Sequence, residues 1–248
     1  MDFSVVLPCF NEEKNIKPLY DEFIGIPLEN YKCELIYVDN GSTDNTSLEI
    51  DKIININKEK KNKIEIKKVF IEFNQGYGGG IEAGLRSARG NYIGWAHADL
   101  QTPLLDFFKL FQIINKETKI YGKGFRINNR GYDGIVSRFH EKLASIILGY
   151  KMEEINAQPK IFSRDVLEYF TAIPKNWTVI DTYSFYVCLA NNIKITNIDV
   201  VFKTRIHGHS KWKNNLTVFL KHILFNIIYL FKLRFSKIKK LNYDTDKA

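Results

Sequence analysis

From Phe3 to Ala96 short runs of β-branched and aromatic residues alternate with longer stretches whose apolar positions recur at helical spacing, the pattern of a parallel sheet covered by helices. Strands are expected at Phe3 to Leu7, Glu34 to Val38, Ile64 to Ile71 and Asn91 to Ala96, with helices at Glu12 to Phe23, Asp44 to Ile54 and Gly78 to Ala88. The lysine- and asparagine-rich stretch from Asn55 to Lys63 reads as a solvated connection. Beyond it the pattern predicts a helix from Pro103 to Asn115, a strand from Lys119 to Phe125, a long helix from Gly131 to Leu148, and short elements to Phe202. No internal repeat or low-complexity linker divides the chain. The economical division is one α/β domain over residues 1–212, a basic amphipathic segment over 213–240 with a helix from Asn214 to Phe235, and a polar end at 241–248.

Charge separates the last segment from the rest. From Lys203 onward there are 11 Lys and Arg against 2 Asp and Glu, which leaves 25 against 26 in the preceding residues. The body is near neutral and its end is basic. Lysines mixed with Phe, Ile and Leu suit an anionic membrane surface, whereas a nucleic-acid partner would call for a broadly basic surface and is not expected. The apolar stretch Leu216 to Phe231 is interrupted by Lys221 and His222 and falls short of the roughly 20 residues a bilayer span needs, so it should lie on a membrane. Packing of that helix on the catalytic body, on a second copy or on a membrane protein is the alternative. Cys9, Cys33 and Cys188 are widely spaced and form no zinc or disulfide pattern. No basic region followed by an apolar run opens the chain, and a peripheral protein on the cytoplasmic face of a membrane is the expectation.

The polar residues that punctuate the strands carry the chemistry. The first strand runs into Leu7-Pro8-Cys9-Phe10-Asn11-Glu12 and the second into Val38-Asp39-Asn40-Gly41-Ser42-Thr43-Asp44, both at the carboxyl edge where open α/β sheets bind ligands. The first strand-to-helix turn contains no glycine, which excludes the dinucleotide fingerprint. Asp39 and Glu12 can accept hydrogen bonds from a base or a ribose, while Asn11, Ser42 and Asp44 can cap helices. If the fourth strand stays extended, His97, Asp99 and Gln101 alternate onto one face. A hard divalent cation there would be held by Asp99 and the Gln101 carbonyl together with phosphate oxygens.

Pro8-Cys9-Phe10-Asn11-Glu12, Val38 to Asp44, Asn74-Gln75-Gly76 with Ala83 and Gly84, and His97-Ala98-Asp99-Leu100-Gln101 together resemble glycosyltransferase family 2, within it the dolichyl-phosphate mannose synthase and polyprenyl-phosphate glycosyltransferase branch. The resemblance implies a GT-A nucleotide-diphospho-sugar transferase fold in which Pro8, Phe10, Glu12 and Asp39 contact the nucleotide, and Asp99 and Gln101 hold Mg or Mn. Asn74, Gly76, His97 and Ala98 would shape the donor side. The family usually carries aspartate at the position of His97 and often at that of Asn40. Each change removes a negative charge, and imidazole is tolerated better by Mn than by Mg. Arg126, with Arg130, Ser137 and Arg138 following it, matches the region that binds an acceptor phosphate, a task suited to guanidinium geometry. Gln158 falls in the segment lining the sugar pocket. Arg205, His207 and Lys211 fall in a loop that would close over the diphosphate. Asp99, Arg126 and Arg205 are the residues most directly tied to catalysis. The Gln-x-x-Arg-Trp signature of processive synthases is absent, which argues against polymer synthesis.

The expected activity is inverting transfer of a sugar from a UDP- or GDP-sugar to a polyprenyl or dolichyl phosphate. A phosphate monoester with a second pKa of about 6 needs no protein base. A hydroxyl acceptor on a lipid-linked glycan or lipopolysaccharide would need one, and Asp181 is the candidate. A nucleotide-sugar-binding protein without turnover is the third reading.

Overall fold

A computed structural model describes residues 1–59, 64–128, 131–176, 178–203 and 216–236. Its elements run β1 (Phe3–Cys9), α1 (Glu13–Ile24), β2 (Cys33–Asn40), α2 (Thr46–Glu59), β3 (Glu65–Ile71), α3 (Gly76–Ser87), β4 (Tyr92–Trp95), α4 (Leu104–Ile114), β5 (Ile120–Arg126), α5 (Gly131–Leu148), β6 (Lys160–Ser163), α6 (Ile180–Ala190), β7 (Lys194–Val200) and α7 (Leu216–Phe235), with a short 3-10 helix at Arg164–Tyr169. The seven strands form one sheet in the order β3-β2-β1-β4-β6-β5-β7. Pairings β1 with β2, β1 with β4, β2 with β3 and β5 with β7 are parallel, and β6 runs antiparallel to both of its neighbours.

Burial explains which strands read as continuous apolar runs. Every residue of β1 and β2 is buried, because helices cover both faces of the sheet centre. Leu19, Phe23, Ile50, Phe107 and Phe111 of α1, α2 and α4 pack on one face with Phe3, Val5 and Leu35. On the other, Ile81 and Leu85 of α3, Ala144 and Leu148 of α5, Phe185 of α6 and Leu230 and Leu233 of α7 pack with Val6, Val38, Trp95 and Phe162. Strand β3 lies at the sheet edge and exposes Lys67 and Lys68 in part, a charge pattern that discourages further strand pairing.

Three expectations are corrected. Helix α2 continues to Glu59, so Asn55 to Glu59 is helical and does not belong to a connection. Asn11 and Ser42 do not cap their own helices but stitch two loops together, whereas Asp44 does take a capping bond at the start of α2. Asn11 Oδ1 accepts from the Thr43 amide at 2.8 Å, Ser42 Oγ accepts from the Asn11 amide at 3.1 Å, and Asp44 accepts from the amides of both Glu13 and Thr46. The extended conformation also does not persist past Trp95. Leu100 takes a φ of 61° and α4 starts at Leu104, so His97, Asp99 and Gln101 lie on a turn and share no strand face.

Candidate active site at the carboxyl edge of the sheet

Because β1, β2, β4 and β5 point the same way, the segments after Cys9, Asn40, Trp95 and Arg126 emerge at one edge, and antiparallel β6 begins there with Lys160. This topology gathers residues from distant parts of the sequence into one site.

The first half of the edge is built around Asp39 and Asn40. Asp39 is 0% exposed; its Oδ1 accepts from the Ser42 amide at 3.0 Å, while Oδ2 is buried and meets no donor among the described residues. A buried carboxylate oxygen left in that state is costly, so it is a strong place for a ligand donor. Pro8 is buried beneath α3, Phe10 is exposed at the rim, and Glu12 is half-buried with its carboxylate on the Asn15 amide. Asn40 uses both ends of its amide: Nδ2 donates to the Gly76 carbonyl at 2.8 Å and Oδ1 accepts from the Gln75 amide at 3.0 Å. An aspartate could not make the first bond, which accounts for asparagine at this position. Asn74 Oδ1 accepts from the Gly76 amide at 2.7 Å and so closes the turn that opens α3. Gly76 has a φ of 78°, and a Cβ there would lie 2.5 Å from the Lys175 carbonyl oxygen, so its freedom serves this packed turn.

The second half follows β4. Asp99 is buried, and its Oδ1 accepts from the Gln101 amide at 3.1 Å while Oδ2 stands 3.9 Å from His97 Nδ1. Gln101 donates its side-chain amide to the Lys203 carbonyl at 2.9 Å, and the Lys203 amide donates to the Gln101 carbonyl at 2.8 Å, tying this turn to the chain after β7. Ala98 faces the core on the α1 and α4 side. Among the described residues no group of three His, Cys, Asp or Glu side chains is placed to hold an ion. Asp99 with the Gln101 carbonyl fits an ion whose other ligands come with a diphosphate, as carboxylate and carbonyl oxygens are suitable donors for Mg or Mn. Tyr77 packs its ring edge-on against His97, with centroids 5.5 Å apart, and its buried hydroxyl has no hydrogen-bond partner among the described residues. Burial first, then the charges of Asp181 and Asp99, pushes that phenol well above its ordinary pKa and keeps it a donor.

Across the edge, Gln158 is fully buried and donates to Asp181 Oδ1 at 3.2 Å, and its Oε1 has no donor among the described residues. Arg126 ends β5 with Nε on the Glu154 carboxylate and its guanidinium carbon 5.8 Å from the centre of the Phe202 ring; Nη2 is buried without an acceptor among the described residues. Ser137 is half-buried and Arg138 exposed on α5. Arg130, Arg205, His207 and Lys211 lie outside the described residues. Sequence reasoning passed over Tyr77, Glu154 and the buried lysines Lys123 and Lys160. The lysines had a readable signal, since each takes an inward position on a strand whose flanking alternate residues, Tyr121, Phe125 and Phe162, are aromatic.

Residues 4–176 match the sequence profile described as glycosyl transferase family 2. The chain belongs to that family. A dodecaprenyl-phosphate galacturonate synthase of Rhizobium johnstonii is 25% identical over 219 residues, covering 86% of this chain and 62% of that protein. The human dolichyl-phosphate beta-glucosyltransferase is 34% identical over 118 residues, covering 45% of this chain and 35% of that protein. The chain thus spans less than two thirds of the length of either relative. Among solved structures, a mannosyltransferase from Pyrobaculum calidifontis in complex with GDP-Man and Mn2+ superposes with a TM-score of 0.68 at 16% identity, covering 93% of this chain and 64% of that one. Glucosyl-3-phosphoglycerate synthase from Mycobacterium tuberculosis, in complex with Mn2+ and UDP, superposes with a TM-score of 0.67 at 20% identity, covering 94% and 79%. The fold of this family member is accordingly GT-A, a mostly parallel seven-stranded mixed sheet flanked by helices.

Proposed function

We propose that the chain transfers a sugar, with inversion, from a UDP- or GDP-sugar to a polyprenyl or dolichyl phosphate at a membrane surface. The observation that carries this reading is Arg126, whose buried guanidinium keeps one nitrogen without an acceptor across the sheet edge from the unpartnered oxygen of Asp39. One group suits a phosphate and the other a nucleotide hydroxyl or base donor. The names of the relatives, lipid-phosphate sugar transferases, agree with it.

In this reading Asp39, with Pro8, Phe10 and Glu12, seats the nucleotide. His97 and Ala98 border the diphosphate, and Gln158 and Tyr77 face the sugar. Asp99 and the Gln101 carbonyl hold Mg or Mn, which when bound offsets the charge of the departing diphosphate. Arg126 orients the acceptor phosphate for in-line attack on the anomeric carbon, with Arg130 and Ser137 beside it and Arg205, His207 and Lys211 closing on the donor. The phosphate is already ionised at neutral pH, so no residue has to take a proton from it. Residues 1–212 form the catalytic unit, 213–240 the membrane-associating segment and 241–248 a polar end.

Membrane docking draws support from both long helices that pack together on the outer face. Leu230 and Leu233 fix α7 to the core and Arg234 donates to the Leu148 carbonyl at 2.9 Å, while Leu224, Ile228, Phe231 and Phe235 form an exposed stripe with Lys221 and Lys232 beside it. Helix α5 exposes Ile135, Phe139 and Ile146, the last by 79%. No helix among the described residues is long and apolar enough to cross a membrane. Such stripes with flanking lysines fit an anionic leaflet. Replacing Phe231 and Phe235 together by Asp is expected to lower binding to phosphatidylglycerol-containing vesicles by about tenfold or more, since each buried Phe contributes roughly 1.5–3 kcal/mol. Co-sedimentation at the wild-type level would count against the surface.

A hydroxyl acceptor is the second reading, favoured by the buried carboxylate of Asp181, whose charge reaches the same phenol as Asp99. The two separate in one assay: labelled UDP- and GDP-sugars are offered to polyprenyl phosphate in detergent with Mn, with Mg and with EDTA. An organic-extractable product that EDTA suppresses is expected. Donor hydrolysis without lipid product would shift the case to Asp181, and saturable donor binding without any turnover would make the chain a binding protein.

A further inference from the structure

Lys123 of β5 and Lys160 of β6 sit directly opposite one another in the antiparallel ladder, and both are buried on the face covered by α5 and α6. Two ammonium groups in such a place are costly unless their protons are well used, and a leucine or methionine would fill the space without that cost. The two lysines use their protons on a single feature. Lys123 Nζ donates to the carbonyls of Glu153 at 2.8 Å and Glu154 at 3.1 Å, with a longer contact to Gly124 O at 3.4 Å, and Lys160 Nζ donates to the carbonyl of Ile155 at 2.6 Å. Three consecutive carbonyls of the segment before β6 are therefore held from beneath. Glu154, in the middle, has a φ of 49°, and its side chain turns to the Nε of Arg126. Phe202 lies against that guanidinium, and Nη2 is left with no acceptor among the described residues.

We infer that Lys123 and Lys160 are positioning residues for an anionic acceptor. By gripping residues 153–155 they fix Glu154, through Glu154 they hold Arg126 with one nitrogen presented to a phosphate, and from behind they add positive potential to that point. The inference rests on the proposed role of Arg126. The ionisable groups facing the pair are Arg126 of β5, Glu141 of α5, Glu154 of the intervening segment and Asp181 of α6. Burial, aided by the charge of Lys160, lowers Lys123 to about 7; burial lowers Lys160 to about 8 against the opposing pull of Asp181. Burial thus favours the neutral forms of both lysines in the free protein, and an arriving phosphate dianion favours their charged forms. Binding must then draw protons from solution, and at pH 8 a phosphate monoester with a second pKa of about 6 supplies none.

The test is calorimetric titration of the full chain with a soluble ten-carbon isoprenyl monophosphate at pH 8, in two buffers of different ionisation enthalpy. Wild type is expected to take up protons on binding, seen as a binding enthalpy that differs between the two buffers. Lys123→Met should weaken binding by about tenfold or more and reduce the uptake, while the affinity for UDP or GDP stays within about twofold. A merely structural lysine would not change the proton count. Binding by wild type with no proton uptake overturns the inference and leaves Arg126 as a phosphate site, as does a Lys123→Met protein that binds and takes up protons like wild type. If wild type binds no monophosphate, the role of Arg126 and the inference fall together. The proton count of wild type needs no variant, so the inference stays testable even if Lys123→Met fails to fold.

Discussion

Replacing Asp99 by Ala is expected to reduce sugar transfer by about 10³-fold or more while shifting the melting temperature by no more than about 3 °C. Asp99 lies on a turn between β4 and α4, outside both core clusters, and its Oδ1 closes that turn by accepting from the Gln101 amide. Loss of the side chain therefore removes the charge proposed to face the diphosphate without opening a cavity among packed apolar groups. Asp99→Asn is the finer probe, since its side-chain oxygen can still accept from Gln101 while the formal charge is gone. Both variants should show the same large loss in the lipid-extraction assay, with donor affinity in Mn falling alongside. A variant at Asp99 with more than about a tenth of wild-type turnover would remove the aspartate from the proposed mechanism.

Gly94→Ala is expected to abolish folding altogether. Gly94 lies in β4 between β1 and β6, and a Cβ placed there would stand 1.9 Å from the Lys160 carbonyl oxygen and 2.7 Å from the Ile161 Cα. Both neighbours are backbone atoms in the ladder that joins β4 to β6, so no rotamer change relieves the contact. Overpacking by flexible side chains typically costs about 1–3 kcal/mol, and a clash with a strand backbone exceeds that range in a domain whose whole stability is about 5–15 kcal/mol. The measurement is soluble yield and far-ultraviolet circular dichroism. A soluble Gly94→Ala protein melting within about 5 °C of wild type would show that β4 and β6 can separate, which the close approach at this glycine forbids.

Much of the first half of the fold was legible because its strands are buried on both faces and therefore appear as uninterrupted apolar runs; β1 and β2 were recognised and prove only two or three residues longer. Helix α5 has the bounds its periodicity predicts. The second half resisted for physical reasons. Strand β6 is four residues long and carries a lysine, β7 is a polar edge strand, and α6 is buried along most of its length, which removes the amphipathic stripe that marks a helix. At the site, residue types were readable but partnerships were not. Asn40 looked like a lost charge until the two ends of its amide were seen to clamp Gln75 and Gly76, and Gln101 appeared to share a face with Asp99 until the turn at Leu100 broke the alternation. Long-range pairings such as Arg126 with Glu154 leave no local signature at all.

The position of β6 has a further consequence. Strands β3, β2, β1 and β4 all come from the first 95 residues, and β6, β5 and β7 from residue 120 onward, so the sheet is two blocks joined along the single β4–β6 seam. The residues proposed to seat the nucleotide, Pro8, Phe10, Glu12 and Asp39, are rooted in one block, and Arg126, proposed to face the acceptor phosphate, with its lysines in the other. The two blocks can therefore carry the two halves of the proposed reaction, donor and acceptor, side by side, provided a glycine stays at the seam to let the strands meet.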